Sequence, residues 1–118
     1  DYLRFAQMHL NGGALDGVRI LSQEAVDLMR SNQLPEGVAI EGEFVDPGNV
    51  FGLDFAIVAD SAAALGQPLG NYYWWGIAGT WFWIDPSNEL IYIGLIQTTD
   101  VVQSITLHRR TKYVVYDG

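Results

Sequence analysis

Cysteine is absent from this sequence of 118 residues, and histidine occurs only twice. Disulfide bridges and thiolate-bound metals are therefore excluded. Two histidines without cysteine make a weak case for any other metal centre. We expect neither a metal nor another cofactor, and the redox compartment stays open because a chain without cysteine suits any of them.

Positive charge is scarce: six lysine and arginine residues face fourteen aspartate and glutamate residues, a net charge of -8. Nucleic acid is excluded as a partner, because phosphate binding requires clustered lysine and arginine. The same balance argues against an anionic membrane surface. No apolar run is long enough to span a bilayer, and the first residues lack the charged and apolar regions of a signal peptide. A cytoplasmic and a periplasmic location are equally open.

The length and the 49% hydrophobic content of the chain are those of at most one folded domain. Asp1, Ser22 and Asp100 stand where residues cap a helix. The predicted fold class is α+β: an antiparallel sheet of three to four strands, two N-terminal helices, and a C-terminal helix packed on the sheet. Period-2 alternation and a turn at 85–88 predict strands over 51–59, from Ala78 onward, and over 89–97.

The histidines and the last helix carry further expectations. His9 and His108 lie on predicted helices without a serine or carboxylate spaced to partner them, so we expect both at the surface or its boundary. The last helix has many β-branched residues, so packing on the sheet must hold it. Its expected inward face consists of Val102, Ile105, Tyr113 and Tyr116.

The stretch 72–86 contains all four tryptophans and is the most specific feature of the sequence. Its residues are Tyr-Tyr-Trp-Trp-Gly-Ile-Ala-Gly-Thr-Trp-Phe-Trp-Ile-Asp-Pro. From Ala78 onward both faces of the predicted strand are apolar, which is typical of a strand between two covering layers. Gly76 and Gly79 allow a ligand or another segment to approach the backbone closely.

Trp-x-Gly followed by Ala-Gly-Thr, an aromatic strand and Asp-Pro resembles the third motif of serine hydrolases with the class C β-lactamase fold. It is similar in particular to the esterase-type members, in which Trp-x-Gly stands in place of the Lys-Thr-Gly of the penicillin-recognising enzymes. Residues 1–21 and 51–60 resemble the run that leads to this motif. The similarity thus spans nearly the whole chain, but only the C-terminal portion of the family. Trp75 and Asp54 stand where those members often have glycine, and a bulky Trp75 would reshape the pocket.

The resemblance implies a β-lactamase-like fold and one half of an active site. Trp74, Trp75 and Gly76 would line the pocket for a small-molecule ester or lactam. The backbone N–H of Ile77, which follows the motif glycine, would be one of two oxyanion-hole donors, since a main-chain donor on a rigid strand stabilises developing charge without reorganising. The absence of the motif lysine, which would meet a β-lactam carboxylate, favours esters.

The proton-transfer residues of that family have no match in this chain. The only lysine is Lys112, and Arg109 stands three residues before it, so a Ser-x-x-Lys motif is missing, as is a Tyr-x-Asn motif. We therefore expect residues 1–118 to be a C-terminal portion of a serine hydrolase, inert by itself, with the nucleophile outside this chain. Two alternatives stay open: a non-catalytic module whose tryptophans stack on a sugar or a peptide, and an inactive relative of the penicillin-recognising proteins.

An isolated portion of this kind is expected to leave one apolar face of its sheet in water. Burial of four tryptophans represents roughly 15–25 kcal/mol at about 25 cal/mol/Å², whereas net domain stability is about 5–15 kcal/mol. We therefore expect the isolated chain to self-associate through that face, most simply as a homodimer.

Overall fold

Among the described residues, five antiparallel strands form the main sheet, and each pairs with the next along the chain in the order β3-β4-β5-β6-β7. A separate two-stranded ladder, β1-β2, follows the first helix. The architecture is α+β, with three helices in the part of the chain that the computed structural model describes, residues 1–40, 42 and 45–117. In chain order the elements are α1 (Tyr2–Leu10), β1 (Ala14–Leu15), β2 (Val18–Arg19), α2 (Gln23–Met29), β3 (Asn49–Phe51), β4 (Ala56–Val58), β5 (Tyr72–Gly76), β6 (Thr80–Asp85), β7 (Leu90–Leu95) and α3 (Val101–Asp117).

The predicted helix starts are confirmed. Ser22 Oγ accepts a hydrogen bond from the Ala25 amide at 3.1 Å, and Asp100 Oδ1 accepts one from the Gln103 amide at 2.9 Å. Each bond satisfies an amide that the first helical turn leaves without a partner. Asp1 occupies the N-cap position of α1 without a side-chain bond.

The first helix also ends where the sequence predicts. The Gly13 amide donates to Met8 O at 2.8 Å, and Gly12 and Gly13 have φ values of 66° and 97°. Glycine adopts this left-handed conformation without strain. A Cβ on Gly13 would lie 2.3 Å from Leu21 O. Glycine is therefore required here, where the chain turns into the β1-β2 ladder.

The strand predicted over 51–59 is wrong in one respect, because the chain folds back in its middle. Gly52 N donates to Phe55 O at 2.9 Å, and Asp54 has a φ of 83°. This turn splits the stretch into the paired strands β3 and β4. A left-handed residue within the run breaks the extended backbone that alternation alone suggested.

The tryptophan-rich stretch forms two strands, whereas the sequence predicted one from Ala78 onward. Gly79 N donates to Gly76 O at 3.0 Å, which closes the turn between β5 and β6. Gly79 has a φ of 94°, and such a left-handed glycine is usual at the end of a three-residue hairpin loop. The sheet consequently has five strands instead of three to four. The predicted turn after Asp85 is confirmed, since its Oδ1 accepts from the Ser87 amide at 2.9 Å.

Each face of the sheet is covered by a helix, as the two apolar faces of the Trp-rich strand predicted. On the α1 side, the buried cluster consists of Ala6, Phe55, Ile57, Tyr72, Phe82 and Ile84. On the α3 side, it consists of Ala56, Tyr73, Trp81 and Trp83, with Tyr116 of the helix packed against them.

This coverage removes the physical reason for the expected homodimer, which assumed an uncovered sheet face. Self-association stays a prediction, which a single chain does not test. None of the helices among the described residues has the length and apolar character needed to cross a membrane.

The inward face of α3 differs from the expected one. Val102 and Tyr113 are 69% and 66% exposed, so half of the predicted stripe points to solvent. The expectation for the two histidines is also wrong, since His9 is 1% exposed and His108 4% exposed. Both rings pack against aromatic rings of β5, His9 against Tyr72 and His108 against Tyr73, and these rings accept a neutral imidazole. The buried residues of α3 are Ser104, Ile105, His108 and Lys112.

Candidate functional site

A cleft of about 260 Å³ opens at the end of the β5-β6 hairpin. Trp74, Trp75 and Gly76, the three residues expected to bind substrate, all line it. Tyr2 and Thr80 contribute to its wall as well. The structure therefore brings the three predicted pocket residues together in one open space.

Strand pairing positions the two tryptophans. Trp74 lies opposite Phe82 and Trp75 opposite Trp81. Their own rings stack with centroids 6.1 Å apart and planes 23° from parallel, and the ring of Phe51 meets Trp74 edge-on at 5.2 Å. Both tryptophans are half-buried. Rings held on several sides present a rigid aromatic wall at low entropic cost.

Gly76 leaves room at the base of the cleft because it has no side chain. It lies opposite Thr80 in the ladder, and a Cβ placed on it would come within 2.7 Å of Thr80 Oγ1. A larger residue would therefore displace the threonine hydroxyl. Glycine here lets a ligand approach the backbone of the strand closely.

Ile77 lies in the turn that follows β5. The sequence had suggested a position on a strand. Its side chain is 75% exposed. Within the described chain, no hydrogen bond consumes its backbone N–H. The Gly79 to Gly76 bond that closes the turn fixes the peptide planes around it, so this donor is held in place by the turn.

The cleft offers shape and apolar contact but little proton chemistry. All nine described residues that line it are uncharged at neutral pH, and among them Thr80 and Tyr2 are the ones with a side-chain hydroxyl. Lys112, the only lysine of the sequence, is not among the lining residues. Across the described residues, no group of three or more histidine or acidic side chains could hold a metal ion.

A cluster of polar and charged side chains lies on the buried face of α3, apart from the tryptophan cleft. The sequence did not predict it. Arg109 Nε donates to Asp46 Oδ1 at 2.7 Å, and Lys112 Nζ lies 4.0 Å from Asp46 Oδ2. Lys112 Nζ also stands 3.6 Å from the ring centroid of Tyr73, a cation-π contact. We call these residues, Asp46, Tyr73, His108, Arg109 and Lys112, the α3 polar cluster.

Burial dominates the titration of this cluster. It lowers the pKa of Lys112 to about 7, against the opposing effect of the Asp46 carboxylate. It also lowers the pKa of His108 to about 2, assisted by the nearby charges of Lys112 and Arg109. In both cases the low-dielectric surroundings disfavour the charged form. The spacing of Ile105, His108 and Lys112 is the i, i+3, i+7 pattern of a buried stripe, but two of its members are polar types usually found outside.

A hydrogen-bond network ties α3 to the sheet. Tyr116 Oη donates to Asp85 Oδ2 at 3.0 Å and accepts from Asn71 Nδ2 at 3.0 Å. Burial raises the pKa of Asp85, but hydrogen bonds from Asn88, Tyr116 and Ser87 outweigh it, and the net shift is downward. The network is structural, because each acceptor serves to hold a turn or a strand end.

No family model matches the chain. It is 43% identical over 104 residues to two curated proteins of Mycobacterium tuberculosis, Uncharacterized protein MT1414 of strain CDC 1551 / Oshkosh and Protein Rv1367c of strain ATCC 25618 / H37Rv. Each match covers 82% of this chain and 26% of the relative. The chain therefore spans about a quarter of the length of the curated relatives it matches.

Among solved structures, the chain is similar to the crystal structure of a putative beta-lactamase from Bacteroides dorei DSM 17855. The TM-score is 0.58 at 20% sequence identity, and the match covers 91% of this chain and 38% of that one. A similarity at this identity concerns the fold. The fold of this chain is thus β-lactamase-like, as the motif had suggested.

Proposed function

We propose that this chain is the C-terminal portion of a β-lactamase-like serine hydrolase. It supplies one wall of the active site and an oxyanion-hole donor, while the nucleophile and its base belong to the rest of the protein. The observation that carries the proposal is the cleft itself. Trp74, Trp75 and Gly76 line it together, and the unconsumed N–H of Ile77 follows directly in the adjoining turn.

Each residue has a definite role in this proposal. The Ile77 N–H donates to the oxygen that becomes negative as the tetrahedral intermediate forms, and its fixed position means that little reorganisation is needed. Gly76 leaves room for the scissile group. Trp74 and Trp75 hold the acyl or alcohol part by apolar contact, and stacked rings lose little entropy when they do so.

The charge of the cleft favours an ester over a β-lactam substrate. A β-lactam carboxylate needs a cation in the pocket, because an unpaired carboxylate loses much of its solvation on binding. The described residues that line the cleft carry no cation. The apolar cleft is instead suited to an uncharged ester.

A binding module without catalysis is the second candidate. The observation in its favour is the pair of stacked, half-buried rings of Trp74 and Trp75, which resembles a platform for a sugar ring. An inactive relative of the penicillin-recognising proteins would have the same cleft. Both candidates predict binding without turnover.

The test uses the full open reading frame that contains this chain, with p-nitrophenyl butyrate and a chromogenic cephalosporin as substrates. The decisive variant is Ile77→Pro, which removes the backbone donor. Proline is favoured at this position of a turn, and the strand conformation of Gly76 before it is compatible. Ile77→Ala is the matched control, because it trims the same side chain and keeps the N–H.

We expect ester hydrolysis in the full-length protein, with kcat about 10²–10³-fold lower in Ile77→Pro and nearly unchanged in Ile77→Ala. Trp74→Ala is expected to raise KM. Equal activity of the two Ile77 variants would eliminate the oxyanion role. If the full-length protein shows no turnover but binds a sugar or peptide, the cleft belongs to a non-catalytic binding module instead.

A further inference from the structure

A second cavity, of about 90 Å³, lies between the turn around residue 66 and the C-terminal half of α3. Gln67, Arg109, Lys112, Asp46 and Asp117 contribute its polar lining. No described residue lines both this cavity and the tryptophan cleft. The cavity is therefore a separate site, which the proposed hydrolase function does not use.

Two buried polar atoms around this cavity lack a hydrogen-bond partner among the described residues: Lys112 Nζ and Gln67 Oε1. The two residues are 3% and 5% exposed. The Gln67 side chain is fixed, because its Nε2 donates to Ala64 O at 3.0 Å. One atom is a donor and the other an acceptor, and burial without a partner costs each of them free energy.

The buried Lys112 ammonium has no hydrogen-bonded counter-ion among the described residues. The Asp46 carboxylate is hydrogen-bonded to Arg109 at 2.7 Å and lies 4.0 Å from Lys112 Nζ. Arg109 and Asp117 are both exposed and therefore screened by solvent. An anion with a single charge would balance the buried ammonium, whereas a dianion would not.

We propose that this cavity binds a small monovalent oxyanion that carries at least one hydroxyl group, of the class of bicarbonate or dihydrogen phosphate. Lys112 Nζ donates to an anionic oxygen. Gln67 Oε1 accepts the hydroxyl proton. Such a ligand satisfies both orphaned atoms at once, and an oxyanion without a hydroxyl would leave Gln67 Oε1 without a partner.

Protonation of Lys112 strengthens this binding. The Lys112 ammonium faces Asp46 in the loop before β3, Tyr73 on β5, and Arg109 on its own helix. Burial lowers the pKa of Lys112 to about 7, so the amine loses its charge as the pH rises above neutrality. Anion affinity is expected to fall over the same range.

The experiment measures the thermal midpoint of unfolding, Tm, for the 118-residue chain and for the full open reading frame. Bicarbonate and nitrate are compared at equal ionic strength near neutral pH, because both are planar monoanions and only bicarbonate carries a hydroxyl. Phosphate is the third probe, and sodium chloride sets the baseline. The variants are Lys112→Met, Gln67→Leu and, as the matched control, Arg110→Met, whose exposed cation lies outside the cavity.

We expect bicarbonate or phosphate to raise Tm with the logarithm of its concentration, by about 10 °C in the 118-residue chain once free ligand exceeds Kd a hundredfold, and nitrate to act no better than chloride. The rise should vanish in Lys112→Met and persist in Arg110→Met. In Gln67→Leu, the advantage of bicarbonate over nitrate should disappear. The larger rise in Tm, with bicarbonate or with phosphate, identifies which of the two anions the cavity binds better.

Two results would overturn the proposal. One is a Tm in both proteins that no oxyanion raises above the chloride baseline, which means that the cavity holds water alone. The other is a rise that Lys112→Met retains, which places the anion elsewhere. Lys112→Met should itself fold, since methionine fills a similar volume and Asp46 keeps its bond to Arg109.

Discussion

The two faces of the main sheet are equally rich in aromatic residues, but the helices that cover them differ in kind. On the α1 side, the helix buries Ala6, Met8 and a single polar residue, His9. On the α3 side, the helix buries Ser104, His108 and Lys112. The comparison teaches that an apolar strand face does not dictate an apolar helix face.

The α3 interface holds because its sheet partners suit polar groups. The ring of Tyr73 accepts the Lys112 ammonium, and His108 packs against Tyr73, Trp81 and Trp83. Aromatic rings have electron-rich faces, so they tolerate a cation or an imidazole better than aliphatic side chains do. The apolar residues left over on α3, such as Val102 and Val114, are exposed.

The largest effect is expected from truncating the α3-side core. Trp83 is 0% exposed and stacks on Tyr92 with centroids 4.1 Å apart. Trp83→Ala should lower the free energy of unfolding by about 3–5 kcal/mol, measured by urea denaturation. Val114→Ala on the outer face of α3 is the control and should stay within about 0.5 kcal/mol. Equal losses in the two variants would mean that α3 packs with a different face.

Lys112→Met should remove an alkaline rise in stability. The folded pKa of Lys112 is about 7 and the unfolded one 10.5, so between these values the unfolded chain binds more protons. The free energy of unfolding therefore rises with pH from about 7 to 10, at up to about 1.4 kcal/mol per pH unit. Above pH 10 the trend reverses, since burial raises the pKa of Tyr72, Tyr73 and Tyr116.

The check is urea denaturation of wild type, Lys112→Met and Arg110→Met at intervals from pH 6 to 10. The rise should be present in wild type and Arg110→Met and absent in Lys112→Met. A wild-type profile that is flat over this range would place the Lys112 ammonium in solvent.

Replacement of the buried histidines should weaken acid denaturation, and more so on the α3 side. Burial lowers the pKa of His108 from 6.5 to about 2, so the unfolded chain binds the extra proton below pH 6.5 and stability falls with falling pH. His108→Phe removes this contribution and keeps the ring packing. Burial also lowers the pKa of His9, but the Asp54 charge opposes it. Thermal unfolding from pH 7 to 4 should show a smaller gain for His9→Phe, and the reverse order would contradict the ranking of the two faces.

The smallest expected effect lies in the turn beside the α1 face. Asp54 has a φ of 83°, which strains any residue with a Cβ. Asp54→Gly should raise the free energy of unfolding by about 1 kcal/mol, a shift of a few degrees in Tm. Asp54→Ala removes the same charge and keeps the Cβ, so it should gain nothing. If both variants stabilise equally, the carboxylate and not the backbone is the cause.

Sequence patterns predicted most of the local structure. The caps at Ser22 and Asp100, the glycine end of α1 and the turn after Asp85 follow from short-range hydrogen bonds between residues near in sequence. The α+β class and the two covering layers follow from periodicity. Trp74 and Trp75, which the motif singled out, line one cleft, and their binding role stays a prediction.

The predictions that failed have two causes. The split at Asp54 and the turn after β5 are closed by short-range bonds, from Gly52 N to Phe55 O and from Gly79 N to Gly76 O, but alternation does not locate a turn within a run whose faces are both apolar. The other failures depended on contacts distant in sequence. The placement of Lys112 requires Asp46, 66 residues earlier, and the ring of Tyr73. From sequence alone, a lysine on a helix is predicted to be exposed to solvent unless such buried partners are known.

The sequence by itself thus determined where helices begin and end and which strands are buried. Only the tertiary structure decided which face of α3 turns inward, where the Ile77 N–H lies, and that Lys112 and Gln67 meet at a second cavity. The physical reason is range. Caps and turns are settled within a few residues, whereas burial of a charge is decided by the partners that the whole fold supplies.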